Sequence, residues 1–213
     1  MATGKAGNFA LVVDRSMTDI IDGTAIADDA LVRHAIAGRR DAFREIYQRH
    51  HAPVFRFARA MTGSVAAAED ITQETFLALL RELRRFDPER GSLATYLFAI
   101  ARNLSRRHLR KDRRFVTLDE PRERDLIIDD PSNAMMQSET VARVRRFIRR
   151  LSSRYREVLI LCDLQGLTYD DASRILNIPV GTVRSRLHRA RTQLTERLTN
   201  SEAEATAGVK RHG

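Results

Sequence analysis

From Asp28 to Leu198 the apolar residues return at steps of three and four, and one acidic stretch interrupts that period. A chain patterned this way buries its apolar side as amphipathic helices packed on one another. Only 10 glycines and 5 prolines occur among 213 residues, too few for the tight turns of an all-β chain. Aromatic residues make up 6% and tryptophan is absent, so small aliphatic cores are expected. The expected fold class is all-α. Two small helical domains are joined by an acidic flexible linker, and the C-terminal domain is a four-helix, helix-turn-helix unit.

Residues 1–26 have no sustained period and read as a flexible lead, with at most a brief turn at Leu11–Val13. A first domain is expected over 27–114. Leu31, Ala35 and Ile36 form one stripe, Gly38 breaks it, and Phe43, Ile46 and Tyr47 begin the next. Pro53 predicts a kink or a restart, since proline removes a helical hydrogen bond. Val54, Phe57, Ala58 and Met61 carry on to a stop at Gly63. Ser64 is placed to cap the following helix, whose buried side is expected to be Ile71, Phe76, Leu79, Leu80 and Leu83. After the loop "DPERGS", Leu93, Leu97, Ile100 and Leu104 mark another helix.

Composition then changes sign. Residues 115–139 carry Asp119, Glu120, Glu123, Asp125, Asp129, Asp130 and Glu139 against Arg122 and Arg124, with two prolines. This is the pattern of an acidic tether. A second domain is expected over 140–199, its first two helices joined at Ser152–Ser153, and residues 200–213 read as a disordered tail.

The net charge of +9 points to a polyanionic partner, or in its plainest reading to a basic, soluble surface. Cys162 is the only cysteine, so no internal disulfide or cysteine-clustered zinc site can form. In "EVLILCDL" it reads as a buried structural thiol. No apolar run is long enough for a membrane span and no signal peptide is visible. The chain is therefore expected to be cytoplasmic and not an integral membrane protein, with no cofactor and no metal.

The second half of the C-terminal domain reads as a helix-turn-helix. Thr168 precedes "YDDASRIL", with Asp170 and Asp171 in the first turn, where carboxylates complement the helix dipole. Asn177 tolerates a left-handed stop, and Pro179 suits the opening of the next helix. Val183 and Leu187 anchor that helix, leaving Thr182, Arg184, Ser185, Arg186, His188 and Arg189 outward. A solvated face would interleave acids at helical spacing; none occurs between Asp171 and Glu196. Arginines here can fork onto guanine edges or pair with phosphates.

The first domain carries two further signals. "RNLSRRHLRKDRR" sets Arg102, Arg106, Arg107 and Arg110 along a helix suited to a phosphate strand. Asn103 among them is either a base-edge reader or an ordinary exposed amide. "EDITQETF" instead displays Glu69, Asp70, Gln73 and Glu74, followed by Leu77. That face suits a basic protein surface, and it equally suits a helix N-terminus with no partner.

Taken together, these segments resemble the extracytoplasmic-function (ECF) sigma factors, two-domain members of the sigma-70 family of bacterial RNA polymerase. "AAEDITQETFLALLREL" resembles the polymerase-docking helix, which places Glu69, Asp70, Gln73, Glu74 and Leu77 in docking. "TYLFAIARNLSRRHLR" resembles the helix that reads and melts the nearer (−10) promoter element, a role implied for Arg102, Asn103, Arg106, Arg107 and Arg110. "LSSRYREVLILCDLQGLTYDDASRILNIPVGTVRSRLHRAR" resembles the helix-turn-helix that reads the upstream (−35) element. Tyr96 stands where the family often has Trp, and Arg107 where it often has an acid. The resemblance implies core RNA polymerase and promoter DNA as partners, in both duplex and melted form, and control by an anti-sigma factor under stress. Two other readings of the residues stand beside it. One is a conventional helix-turn-helix regulator with a helical sensor domain, which leaves the acidic face unexplained. The other is an enzyme, for which no ligand cluster, phosphate loop or nucleophile motif is found.

Overall fold

The structure, a computed structural model, describes residues 26–116 and 139–209. The expected lead, with its turn at Leu11–Val13, and nearly all of the acidic tether lie outside the described residues. Eight α-helices make up the described chain: α1 Asp28–Ile36, α2 Arg40–Thr62, α3 Val65–Glu82, α4 Leu93–Val116, α5 Glu139–Arg150, α6 Ser153–Leu159, α7 Tyr169–Leu176 and α8 Val180–Val209. Among the described residues there is no strand.

Local chemistry sets the boundaries. Gly38 and Gly63 stop α1 and α2 at φ +87° and +80°, values at which a side chain is strained. At Gly63 a Cβ would also lie 2.6 Å from Cδ of Arg149, so backbone conformation and close approach both favour glycine there. The Ser64 hydroxyl accepts the Ala67 N–H at 3.2 Å and opens α3. Pro53 does not restart α2, which continues through it as one helix. Ala42 and Ile46 before the proline and Val54, Phe57, Ala58 and Met61 after it are all buried in one core, and that packing outweighs one lost hydrogen bond. Leu80, expected on the buried side of α3, is 54% exposed. Leu79 beside it is fully buried, and adjacent residues on a helix point about 100° apart.

Helices α1–α4 enclose Ile46, Phe57, Met61, Leu79, Leu93 and Leu97. Helices α5–α8 enclose Val158, Leu159, Leu161, Ala172, Val183, Leu187 and Leu194. The two groups meet in one continuous apolar cluster, with α4 against α7 and α2 against α5. After α6 the chain makes a π-turn at Ile160–Leu164. Ile160 and Leu161 stay buried there, and Cys162 is half-buried. Burial, then the neighbouring Asp163 carboxylate, pushes the Cys162 thiol up to about 11, which leaves little thiolate to react. Residues 200–209, expected to be disordered, instead prolong α8 to Val209. The segment "SEAEATA" holds strong helix formers and no glycine or proline. Residues 210–213 lie outside the described residues.

Candidate nucleic-acid interface and docking face

In the C-terminal unit, the Thr168 hydroxyl accepts the Asp171 N–H at 3.1 Å and starts α7. Asn177 closes it in the left-handed conformation at φ 53° and ψ 53°. The Ser173 hydroxyl donates to the Ile178 carbonyl at 2.5 Å across the turn. Pro179 O accepts the N–H groups of Thr182 and Val183 at 2.8 and 3.1 Å and launches α8. Val183, Leu187, Ala190 and Leu194 then bury one stripe of α8. This register turns Arg184, Ser185, His188 and Arg189 fully outward and leaves Thr182 and Arg186 half-buried at the edges.

Neighbouring helices orient part of this face. The Arg184 guanidinium lies 5.8 Å from the Tyr169 ring centroid, within cation–π range. Arg189 donates to the Tyr155 hydroxyl and, with help from Arg154 and against burial, holds that phenol below its usual pKa. Arg191, which the arginine count alone groups with the others, is held by Asp163 through bonds of 3.0 and 2.6 Å. That pairing raises the Arg191 pKa and fastens α8 to the π-turn.

On α4, Asn103, Arg106, Arg107 and Arg110 are exposed and recur at helical spacing along one face. Arg102 departs from them. Its side chain is only 12% exposed, and its Nε donates to Oε2 of Glu157 at 2.8 Å. Its Nη1 donates to the Ile175 carbonyl near the end of α7 at 3.2 Å. Arg106 lies 3.7 Å from the same Glu157 carboxylate. Arg107 donates to Glu74 on α3 at 2.5 Å, so the basic stripe and the acidic stripe touch at one point.

On α3, Glu69, Asp70, Gln73 and Leu77 are exposed, and Glu74 is half-exposed beside Arg107. Leu77 and Leu80 extend the stripe at 48% and 54% exposure, and Tyr47 of α2 adds an aromatic at 41%. The Tyr47 ring packs 4.8 Å from Phe76 and 4.9 Å from His51. The face is therefore acidic at one end and apolar at the other. Leu80 and Tyr47, whose helical spacing predicts burial, are exposed, because apolar periodicity does not distinguish a packed stripe from a solvent-facing one on the same helix. Glu157 lies inside the apolar run "REVLIL", so helical periodicity does not single it out; the one sequence signal for it is an acid at a core position. Among the described residues no cluster of metal-ligating side chains occurs, and no helix is long and apolar enough to cross a membrane.

These two units correspond to two segments of one family. Residues 46–115 match Sigma-70 region 2, and residues 142–194 match Sigma-70, region 4. The ECF RNA polymerase sigma factor SigE of Mycolicibacterium smegmatis is 31% identical over 163 residues, covering 75% of this chain and 63% of that protein. The chain thus spans less than two thirds of the length of that relative. The probable RNA polymerase sigma-C factor of Mycobacterium bovis is 36% identical over 176 residues, covering 80% of this chain and 94% of that protein. Among solved structures, the sigma factor RpoE in complex with the anti-sigma factor NepR from Bartonella quintana has 27% identity and a TM-score of 0.65, covering 74% of this chain and 96% of that one. The chain belongs to the ECF sigma factors of the sigma-70 family.

Proposed function

We propose that the chain binds core RNA polymerase, directs it to particular promoters and helps melt the DNA at initiation, by binding rather than catalysis and in the cytoplasm. The observation that carries this reading is the presence of three surfaces of different chemistry on one helical frame. A mixed acidic and apolar stripe lies on α3, a basic stripe with one amide on α4, and an arginine-rich face on α8. The division into a region 2 domain at 27–114, an acidic linker at 115–139 and a region 4 domain at 140–199 belongs to the same proposal.

In this reading, Glu69, Asp70, Gln73, Glu74 and Leu77 dock on the polymerase. Tyr47 and Leu80 supply apolar area beside them. Thr182, Arg184, Ser185, Arg186, His188 and Arg189 face the duplex upstream element, where a bidentate arginine discriminates a base by about 1–3 kcal/mol. Asn103, Arg106, Arg107 and Arg110 follow the melted strand of the nearer element. Arg102 joins them only when its pairing with Glu157 is released. The solved relative paired with an anti-sigma factor supports control of this chain by such a partner, and a role in a stress response belongs to the same proposal.

Transcription in vitro with purified core polymerase, followed by start-site mapping, tests the proposal. Initiation at defined promoters only when the chain is added is the expected result. Tight binding of the free chain to palindromic duplex, with no effect on initiation, would favour the conventional regulator instead.

A further inference from the structure

The two helical units meet in a continuous apolar cluster, and beside it polar contacts join them, two of which use arginines that the reading above assigns to nucleic acid. Glu157 is 4% exposed, and it sits in an α6 run whose neighbours Val158 and Leu159 are fully buried. Its carboxylate meets Arg102 at 2.8 Å and Arg106 at 3.7 Å. Arg102 also stacks a donor onto the C-terminal end of α7 through the Ile175 carbonyl, the end where a helix dipole favours a cation. Thr95, earlier on α4, donates to Asp171 of α7 at 3.2 Å. Arg156 of α6 donates to the Met61 carbonyl at the end of α2 at 2.9 Å.

We infer that Glu157 is a latch that holds the two units closed and blocks capture of the melted promoter strand, by occupying Arg102 and Arg106 in place of phosphate. The latch rests on the reading of α4 as the strand-binding helix. Its selectivity follows from what the closed arrangement leaves open. The α3 stripe around Leu77 and Leu80 remains exposed, as do Arg184, Ser185, His188 and Arg189 on α8. Docking on polymerase and reading of the duplex upstream element are therefore compatible with closure, whereas strand capture lacks Arg102 and shares Arg106 with Glu157, leaving Asn103, Arg107 and Arg110 exposed but short of the full stripe. A buried ion pair is suited to such a device. Its mutual attraction is largely offset by the hydration both ions recover on separation, so the pair itself adds little to the free-energy gap between closed and open forms, whereas removing one partner leaves a buried charge unpaired and weakens the closed form. A ligand that binds only the open form shifts that balance.

Three measurements on the full-length chain test the latch. Glu157→Gln keeps the shape of the side chain and removes its charge. It is expected to bind a fluorescein-labelled single-stranded DNA of about 12 nucleotides roughly tenfold more tightly than the parent, because apparent affinity scales with the open fraction. Its radius of gyration by small-angle scattering should rise, while affinity for core polymerase stays the same. Second, saturating the unmodified chain with the same DNA should expand it, a readout that does not depend on the variant folding. Unchanged scattering in both experiments overturns the latch, as does an expanded Glu157→Gln chain with parental affinity for the DNA. Third, Arg110→Ala, on the same α4 stripe but away from Glu157, reports on strand binding alone. Loss of affinity there with no response to Glu157→Gln removes the latch and leaves the strand-binding assignment intact. No loss there removes the assignment itself.

Discussion

Truncating Leu77 and Leu80 to alanine tests whether the outer stripe of α3 is a docking face or a solvated side. Fully burying a leucine stabilises by about 1.5–3 kcal/mol. With 48% and 54% of the two residues still exposed, docking has roughly half of that left to recover, about 0.7–1.5 kcal/mol each. The double variant should therefore bind core polymerase about tenfold to a hundredfold more weakly, at about 1.4 kcal/mol per tenfold. Alanine is the strongest helix former, so α3 itself should persist. Anisotropy titration of the labelled chain with core enzyme measures the loss, and circular dichroism checks that helix content is unchanged. Affinity within about twofold of the parent, with helix content intact, would refute the docking role. Charge reversal at Asp70 and Glu74 should act differently, slowing association most at low salt.

The remaining predictions concern the DNA-facing helices and the N-terminal helix. Arg184→Ala should lower discrimination at one upstream base pair by about 1–3 kcal/mol, whereas a change confined to the salt slope would make Arg184 a phosphate contact. Asn103→Ala should alter base preference at one position in a randomised promoter library, while Arg106→Ala should weaken open-complex formation at every promoter, most at low salt, and flatten its salt dependence. Asp28 accepts a hydrogen bond from His50 at 2.8 Å and pairs with Arg49 at 3.3 Å. These contacts, His50 first, hold its carboxyl below the ordinary aspartate range. A lowered folded-state pKa contributes stability above the unfolded value and loses it as pH falls through the folded value. The fastening of α1 should thus be complete above about pH 4 and fade below it. Hydrogen exchange of the α1 amides across that range should show the loss, and Asp28→Asn should abolish its pH dependence.

The sequence by itself determined most of the helices, the caps of α3 and α7 and the outward face of α8, because these depend on neighbours within a few residues. Ser64, Thr168 and Asn177 act at the boundaries where their chemistry placed them. The four-three-four spacing of Val183, Leu187, Ala190 and Leu194 was enough to turn Arg184 and Arg189 outward. Local rules failed where a distant element decided the outcome. Pro53 stays inside α2 because core side chains on both sides of it hold the helix together. Leu80 faces out because, among the described residues, α2 and α4 pack on the opposite side of α3, where Leu79 is buried. The fates of Arg191 and Arg102 could not be read from composition at all. Each is an arginine in a basic run, yet one is tied to Asp163, 28 residues earlier, and the other to Glu157, 55 residues later. An ion pair between helices is set by where the helices pack, and a charge run carries no record of which of its members will meet a partner.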